Sequence, residues 1–170
     1  MTQRYTVSPE DSSLSVDARS TLHNVRATAS NLSGYIEAIW NPDGSLAATP
    51  APAMHVEFPI DRLRSGNSVQ DREMRKLIDA TRFPKVAADL RGVQPVSGNR
   101  YKANGDVTLA GRSRSYGGEF SIQDDGDRVT LDGELSVDMR DFGVTPPSLL
   151  FLKVDPILHV RARLVARKAA

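Results

Sequence analysis

The sequence predicts a mainly β fold, an antiparallel barrel of about eight strands with one short α-helix. Three features of the chain support this prediction. Apolar and polar residues alternate with a period of two in one segment after another. Turn signals rich in Gly, Asn and Asp separate these segments at 41–44, 97–99 and 124–127. Near residues 69–81 the pattern changes to helical spacing.

The alternating segments read as half-buried strands in chain order. They lie at 5–7, 14–18, 54–60, 86–90, 101–109, 116–122, 129–139 and 158–164. The last is the clearest, because its apolar face from Leu158 to Leu164 alternates with His159, Arg161 and Arg163. Short turns make neighbouring strands antiparallel, and closure into a barrel leaves no exposed edge.

The helix has its own start and stop signals. Ser68 and Asp71 resemble a capping box, and Pro84 ends the helical region so that the next strand begins at once. The apolar stripe consists of Met74, Leu77, Ile78 and Thr81. A stripe this narrow suits a helix that lies across an open barrel end, where it either closes the core or gates a cavity.

Length and composition limit the classes of function. We expect 170 residues, 1–170, to form one domain. The 22 Lys and Arg nearly balance 21 Asp and Glu, so no nucleic-acid partner is expected. The chain has no cysteine, and no apolar run long enough for a membrane span. The N-terminus lacks the pattern of an export signal, which predicts a soluble, cytoplasmic protein, or a periplasmic one if a leader has been removed.

The strand faces do not decide whether the barrel is filled or hollow. Gly and Ala alternate with large apolar residues on the same faces, as Gly34 and Ala38 do with Ile36 and Trp40. Small barrels use this alternation to fit their taper, and a barrel of about eight strands can also hold one small ligand. A cavity here would have hydrocarbon walls and would select an apolar cargo, with a gain of ~0.8 kcal/mol per buried CH₂.

Four motifs in order carry a family resemblance. They are YTVSPEDSSLSV at 5–16, PIDRLRSGNSVQDREMRKLIDATRFPKVAADL at 59–90, NGDVTLAGRSRSY at 104–116 and VDMRDFGV at 137–144. Together they resemble the YceI-like family of lipocalin-like, polyisoprenoid-binding barrels. The resemblance implies an elongated eight-stranded barrel, a helix packed near it and an apolar tunnel for a long isoprenoid chain.

The predicted ligand contacts are large apolar residues of the strand faces, the helix, the motif at 137–144 and the segment after Pro146. They are Val16, Ile36, Trp40, Val56, Phe58, Met74, Leu77, Leu90, Leu109, Phe120, Leu131, Leu135, Phe142, Leu149 and Phe151. The expected partner is a long-chain apolar ligand such as a polyisoprenoid. No cofactor or metal is expected, because His23, His55 and His159 have no ligand spacing. His23 is either an ordinary turn residue or a contact to the ligand's polar head.

Catalysis is not expected, because the sequence offers neither an activated nucleophile nor a tuned acid and base pair. The leading hypothesis is a carrier or sequestering protein that holds its lipid unchanged. The alternative is an interaction protein with a filled barrel. The apolar segment 145–156 would then form a homodimer or partner contact; it could equally be a mouth flap or a core plug.

Overall fold

Twelve strands and one α-helix form the described part of the protein. The structure is a computed structural model that describes residues 1–22, 24–146, 148–149 and 152–169, with backbone alone at 148, 149 and 152. The strands are β1 Gln3–Val7, β2 Ser13–Ser20, β3 Asn24–Ala29, β4 Ser33–Ala38, β5 Ala53–Pro59, β6 Leu63–Arg64, β7 Lys85–Ser97, β8 Arg100–Leu109, β9 Arg112–Asp124, β10 Arg128–Asp138, β11 Ser148–Leu149 and β12 Leu152–Lys168. The helix α1 spans Ser68–Ile78, and two 3₁₀ helices span Ile60–Arg62 and Met139–Phe142.

Eight of the strands close into an antiparallel ring. The order is β1, β4, β5, β7, β8, β9, β10 and β12, and β12 pairs back with β1. β2 and β3 continue β1 and β4 beyond local bends, and β2 pairs with β12 while β3 pairs with β6. The prediction of an eight-stranded antiparallel barrel with one helix is confirmed.

The barrel has two ends with different connections. At the first end lie α1, the β2–β3 turn and the β8–β9 turn; we call it the helix end. The connections at 39–52, 98–99 and 125–127 lie at the other end, which we call the far end. Each contains one of the predicted turn signals. Gly98 and Gly126 have positive φ angles of 55° and 92°, which glycine adopts without strain.

The half of the interior near the far end is packed solid by its own side chains. Tyr5, Tyr101 and Val129 are at most 2% exposed there. The Tyr101 and Phe120 rings stack with centroids 5.4 Å apart, and the Tyr101 hydroxyl accepts a hydrogen bond from the Leu46 amide at 2.8 Å. These side chains fill this half of the interior, so it closes the lumen from one side.

The helix begins and ends at different residues from those the sequence predicted. The expected capping box of Ser68 and Asp71 is wrong: Asn67 is the N-cap, and its side chain accepts from the Val69 and Gln70 amides. At the other end Asp79 adopts the left-handed conformation with φ 58°, so α1 ends before Thr81. Within the described residues, no helix has the length and apolarity needed to cross a membrane.

Candidate functional site

A cavity of about 280 Å³ occupies the half of the barrel near the helix end. Its wall consists of side chains from β2, β3, β5, β6, β7, β8, β10, β12 and α1, and from residues at both 3₁₀ helices. Most of these side chains are apolar. Two residues beyond Ala162, a wall residue on β12, the inward side chain is Leu164, which is 2% exposed. The cavity therefore ends against the packed far half and does not continue through the barrel.

Seven of the predicted ligand contacts lie on this wall. They are Val16, Val56, Phe58, Met74, Leu77, Leu109 and Leu135. The five strand residues point inward because side chains alternate between the two faces of a strand. The helix residues Met74 and Leu77 reach the wall from the apolar stripe of α1.

The other predicted contacts lie elsewhere. Ile36, Trp40, Phe120 and Leu131 belong to the packed far half or lie against it. Leu90 is half-buried opposite Gly105 of β8, and Phe142 is buried against the Tyr116 ring. The Leu149 side chain and Phe151 lie outside the described residues. Alternation identifies which residues face inward, but it does not give their height along the barrel axis.

Small wall residues were not among the predicted contacts, although their short side chains leave the space that forms the cavity. Ala18, Ala27, Ala88 and Ala162 all line the cavity. Each occupies an inward position of its strand, where a larger side chain would fill the lumen. The sequence signal for them was the interleaving of small and large residues, which is equally typical of barrel taper.

The polar groups of the wall are concentrated at the helix end. They belong to Ser20, Ser65, Gln70, Asp71 and Glu73. The buried Asp71 carboxylate accepts from the Ser65 amide at 3.0 Å and from the Ser65 hydroxyl at 2.7 Å. This contact fixes the first turn of α1 to the chain that leaves β6.

We expect Asp71→Ala to lower the free energy of unfolding by about 1–3 kcal/mol, because the Ser65 amide would lose its partner in a partly buried position. Urea denaturation measures this change. Glu73→Ala on the same helix is the matched control: it removes an exposed ion pair with Lys76 and should cost less than ~0.5 kcal/mol. Equal effects of the two substitutions would contradict the anchoring role of Asp71.

Tyr116 holds the second 3₁₀ helix against the barrel. Its hydroxyl donates to the Asp141 carboxylate and accepts from the Asp138 amide at 3.2 Å. Burial, together with the hydrogen bond to Asp141, raises the pKa of Tyr116 to about 12, so the hydroxyl keeps its proton. Met139, the first residue of this helix, and Val144, two residues beyond its end, are thereby held in the cavity wall.

The described histidines lie outside the cavity. On β5, the His55 ring contacts the Asp89 carboxylate at 2.7 Å and the Glu57 carboxylate at 3.1 Å. Burial lowers the pKa of His55, but these two hydrogen bonds outweigh it and raise the pKa above its usual value. His159 contacts the Ser136 hydroxyl, and His23 lies outside the described residues. Among the residues that the structure describes, no cluster of His, Asp or Glu has the arrangement of a metal site.

Comparisons with known proteins agree with this architecture. The BcnA protein of Burkholderia cenocepacia has a similar structure, with a TM-score of 0.77 and 16% identity over 94% of this chain and 98% of that chain. A polyisoprenoid binding domain from Saccharophagus degradans aligns with a TM-score of 0.71 and 12% identity over 97% and 98% of the two chains. The YceI protein of Campylobacter jejuni aligns with a TM-score of 0.70 and 15% identity over 88% of each chain.

These structural likenesses show a shared fold. A search of curated proteins found no significant match. The sequence model of the family described as "YceI-like domain" matches residues 5–166, which is nearly the whole chain. This chain therefore belongs to the YceI-like domain family.

Proposed function

We propose that the protein binds a long apolar chain, an isoprenoid or a similar lipid, in the cavity near the helix end and carries or sequesters it unchanged. The observation that carries this proposal is the apolar wall inside a closed barrel. Water in such a space finds few hydrogen-bond partners, so an apolar ligand that displaces it gains free energy. The polyisoprenoid-binding relative with the same fold supports this class of ligand.

The distribution of polar groups favours one orientation of the ligand. The polar wall residues, among them Gln70 and Glu73, lie at the helix end, whereas the wall near the far half is hydrocarbon. A polar head group near α1 keeps its hydrogen bonds, and the tail then extends toward Ala162. We therefore place the head at the helix end.

The depth of the lumen limits how much of the tail is buried. Along β12 the wall extends from Val154 to Ala162. At ~3.3 Å per residue this is ~26 Å of strand, and a strand tilt of ~40° leaves about 20 Å along the barrel axis. A longer tail must fold back or extend out of the barrel.

A series of ligands with increasing chain length tests this limit. We expect the affinity to rise with each added CH₂ by up to ~0.8 kcal/mol, about fourfold in Kd, until the lumen is filled, and then to level off. Fluorescence titration of prenyl alcohols of increasing length measures the series. An affinity independent of chain length would contradict burial of the tail.

Identification of the natural cargo needs a direct experiment. Organic extraction of the purified protein, followed by mass spectrometry, should yield a lipid in a fixed ratio to protein. An Ala88→Trp variant is the matched control, because its indole should occupy the lumen of an intact barrel. Lipid-free protein from several expression hosts, together with no binding of added prenyl alcohols, would refute the proposal.

The cavity favours a carrier over an interaction protein with a filled barrel, since only the far half is packed. Contact between subunits through 145–156 stays a prediction, because residues 147, 150 and 151 and the side chains of 148, 149 and 152 lie outside the described part of the chain. We propose no catalysis. Of the two carboxylates on the described wall, Asp71 binds Ser65, and Glu73 lies in an exposed ion pair with Lys76 at 3.5 Å.

A further inference from the structure

The surface at the helix end is basic, although the chain as a whole is nearly neutral. Residues 60–84, which comprise α1 and its connections, contain six Lys and Arg against four Asp and Glu. The rest of the chain has 16 Lys and Arg against 17 Asp and Glu, since the totals are 22 and 21. The far-end connections at 39–52, 98–99 and 125–127 contain three Asp and no Lys or Arg. The two ends of the barrel therefore differ in charge.

The cations at the helix end are accessible. We call five exposed side chains the basic collar: Arg62, Arg64, Arg72, Lys76 and Arg82. Arg62 and Arg72 form no ion pair with any described residue. The ion pairs of Lys76 and Arg82 are with exposed carboxylates on their own segment, each at 3.5 Å. Such pairs are weak, so the collar can bind an external anionic surface at little cost.

Exposed apolar side chains accompany the collar. Of the five large apolar side chains that are exposed in the described part of the chain, three lie at this end. They are Leu22 in the β2–β3 turn, 77% exposed, and Val69 and Leu77 on α1, 55% and 38% exposed. Val69 and Leu77 are eight residues apart, so they share one flank of the helix. Leu77 also lines the cavity, which therefore reaches the surface beside this flank.

From this arrangement we propose that the helix end docks on an anionic lipid bilayer. The basic collar contacts lipid phosphates, and Leu22, Val69 and Leu77 insert among the head groups, as in other interfacial helices with a basic and an apolar face. The cavity opening then faces the membrane, so an apolar chain enters or leaves the barrel without crossing water. This inference rests on the proposed carrier function, because a bilayer is the natural store of such a chain.

Flotation with vesicles tests the docking surface. Vesicles of phosphatidylcholine with about one third phosphatidylglycerol should bind the full chain, whereas pure phosphatidylcholine vesicles should bind it much more weakly. Arg72→Glu with Lys76→Glu should reduce partitioning onto the anionic vesicles at least about tenfold. Lys102→Glu with Lys168→Glu is the matched control, with the same change of charge at exposed positions toward the far end. Circular dichroism confirms that each variant is folded.

A separate measurement tests the orientation of the protein on the vesicle surface. Val69→Trp in a Trp40→Phe background should show a blue-shifted emission with anionic vesicles. The native Trp40, which lies near the far end and donates to the Tyr5 hydroxyl at 3.0 Å, should show no shift. Equal loss of vesicle binding in the two charge variants, or no binding to anionic vesicles, overturns the docking surface. The titration with prenyl alcohols in solution is independent of vesicles, so failure of docking and failure of ligand binding are distinguishable.

Discussion

Ala88→Trp should abolish lipid binding while the barrel remains folded. Ala88 lies on β7 between Val56 of β5 and Val107 of β8, and all three side chains line the cavity. An indole at this position occupies the space that the ligand's tail needs. We expect the affinity for a prenyl alcohol to fall about 100-fold or more, which corresponds to ~2.7 kcal/mol.

The stability of this variant distinguishes a blocked lumen from an unfolded protein. Overpacking of a filled core costs ~1–3 kcal/mol, but here the ring enters existing space, so we expect a change at or below the lower limit of that range. Ser113→Trp, at an exposed position of β9, is the matched control and should bind the ligand normally. Unchanged affinity in a folded Ala88→Trp protein would show that the ligand does not bind in the lumen.

Gly34→Ala should cause the largest loss of stability. Gly34 pairs with Val56 on β5 and has a φ of +143°, a backbone conformation that residues other than glycine rarely adopt. A Cβ atom there would lie 1.8 Å from the His55 carbonyl oxygen, which is backbone and cannot rotate away. We expect a loss of about 4 kcal/mol or more, and a decrease in Tm of about 10 °C or more.

Gly92→Ala provides the comparison for this prediction. Gly92 lies at the bulge in β7, and a Cβ built there meets no atom within 4 Å. The expected change is within ~1 kcal/mol and of either sign. Thermal and urea unfolding measure both variants. A Gly34→Ala protein as stable as Gly92→Ala would contradict the close approach of β4 to β5.

The two variants probe different properties of one barrel. Gly34 permits the tight strand contact that lets the ring close, whereas Ala88 leaves part of its interior empty. Far-half residues such as Tyr101 and Phe120 provide the packed core that stabilises the barrel without a ligand. An intrinsically stable far half allows the other half to stay open for a cargo.

The sequence by itself determined the barrel, because the alternation of strand residues and the turn residues are local patterns that can be read within short segments. The alternation from Leu158 to Leu164 and the turn glycines at 98 and 126 were sufficient for strand faces and antiparallel order. The helix was also predicted, but its cap was not. Asn67, not Ser68, accepts from the first amides of the helix, and Asp71 binds Ser65. Both contacts depend on the path of the chain before α1.

Only the tertiary structure decided which inward residues line a cavity. Val16 and Phe120 have the same apolar, inward-facing pattern, yet one borders the lumen and the other belongs to the packed half. The difference is their height along the barrel axis, which depends on strand register and on the bends that divide β1 from β2. Register joins residues far apart in the chain, such as Val16 with Val160, and a pattern within one segment does not contain that information.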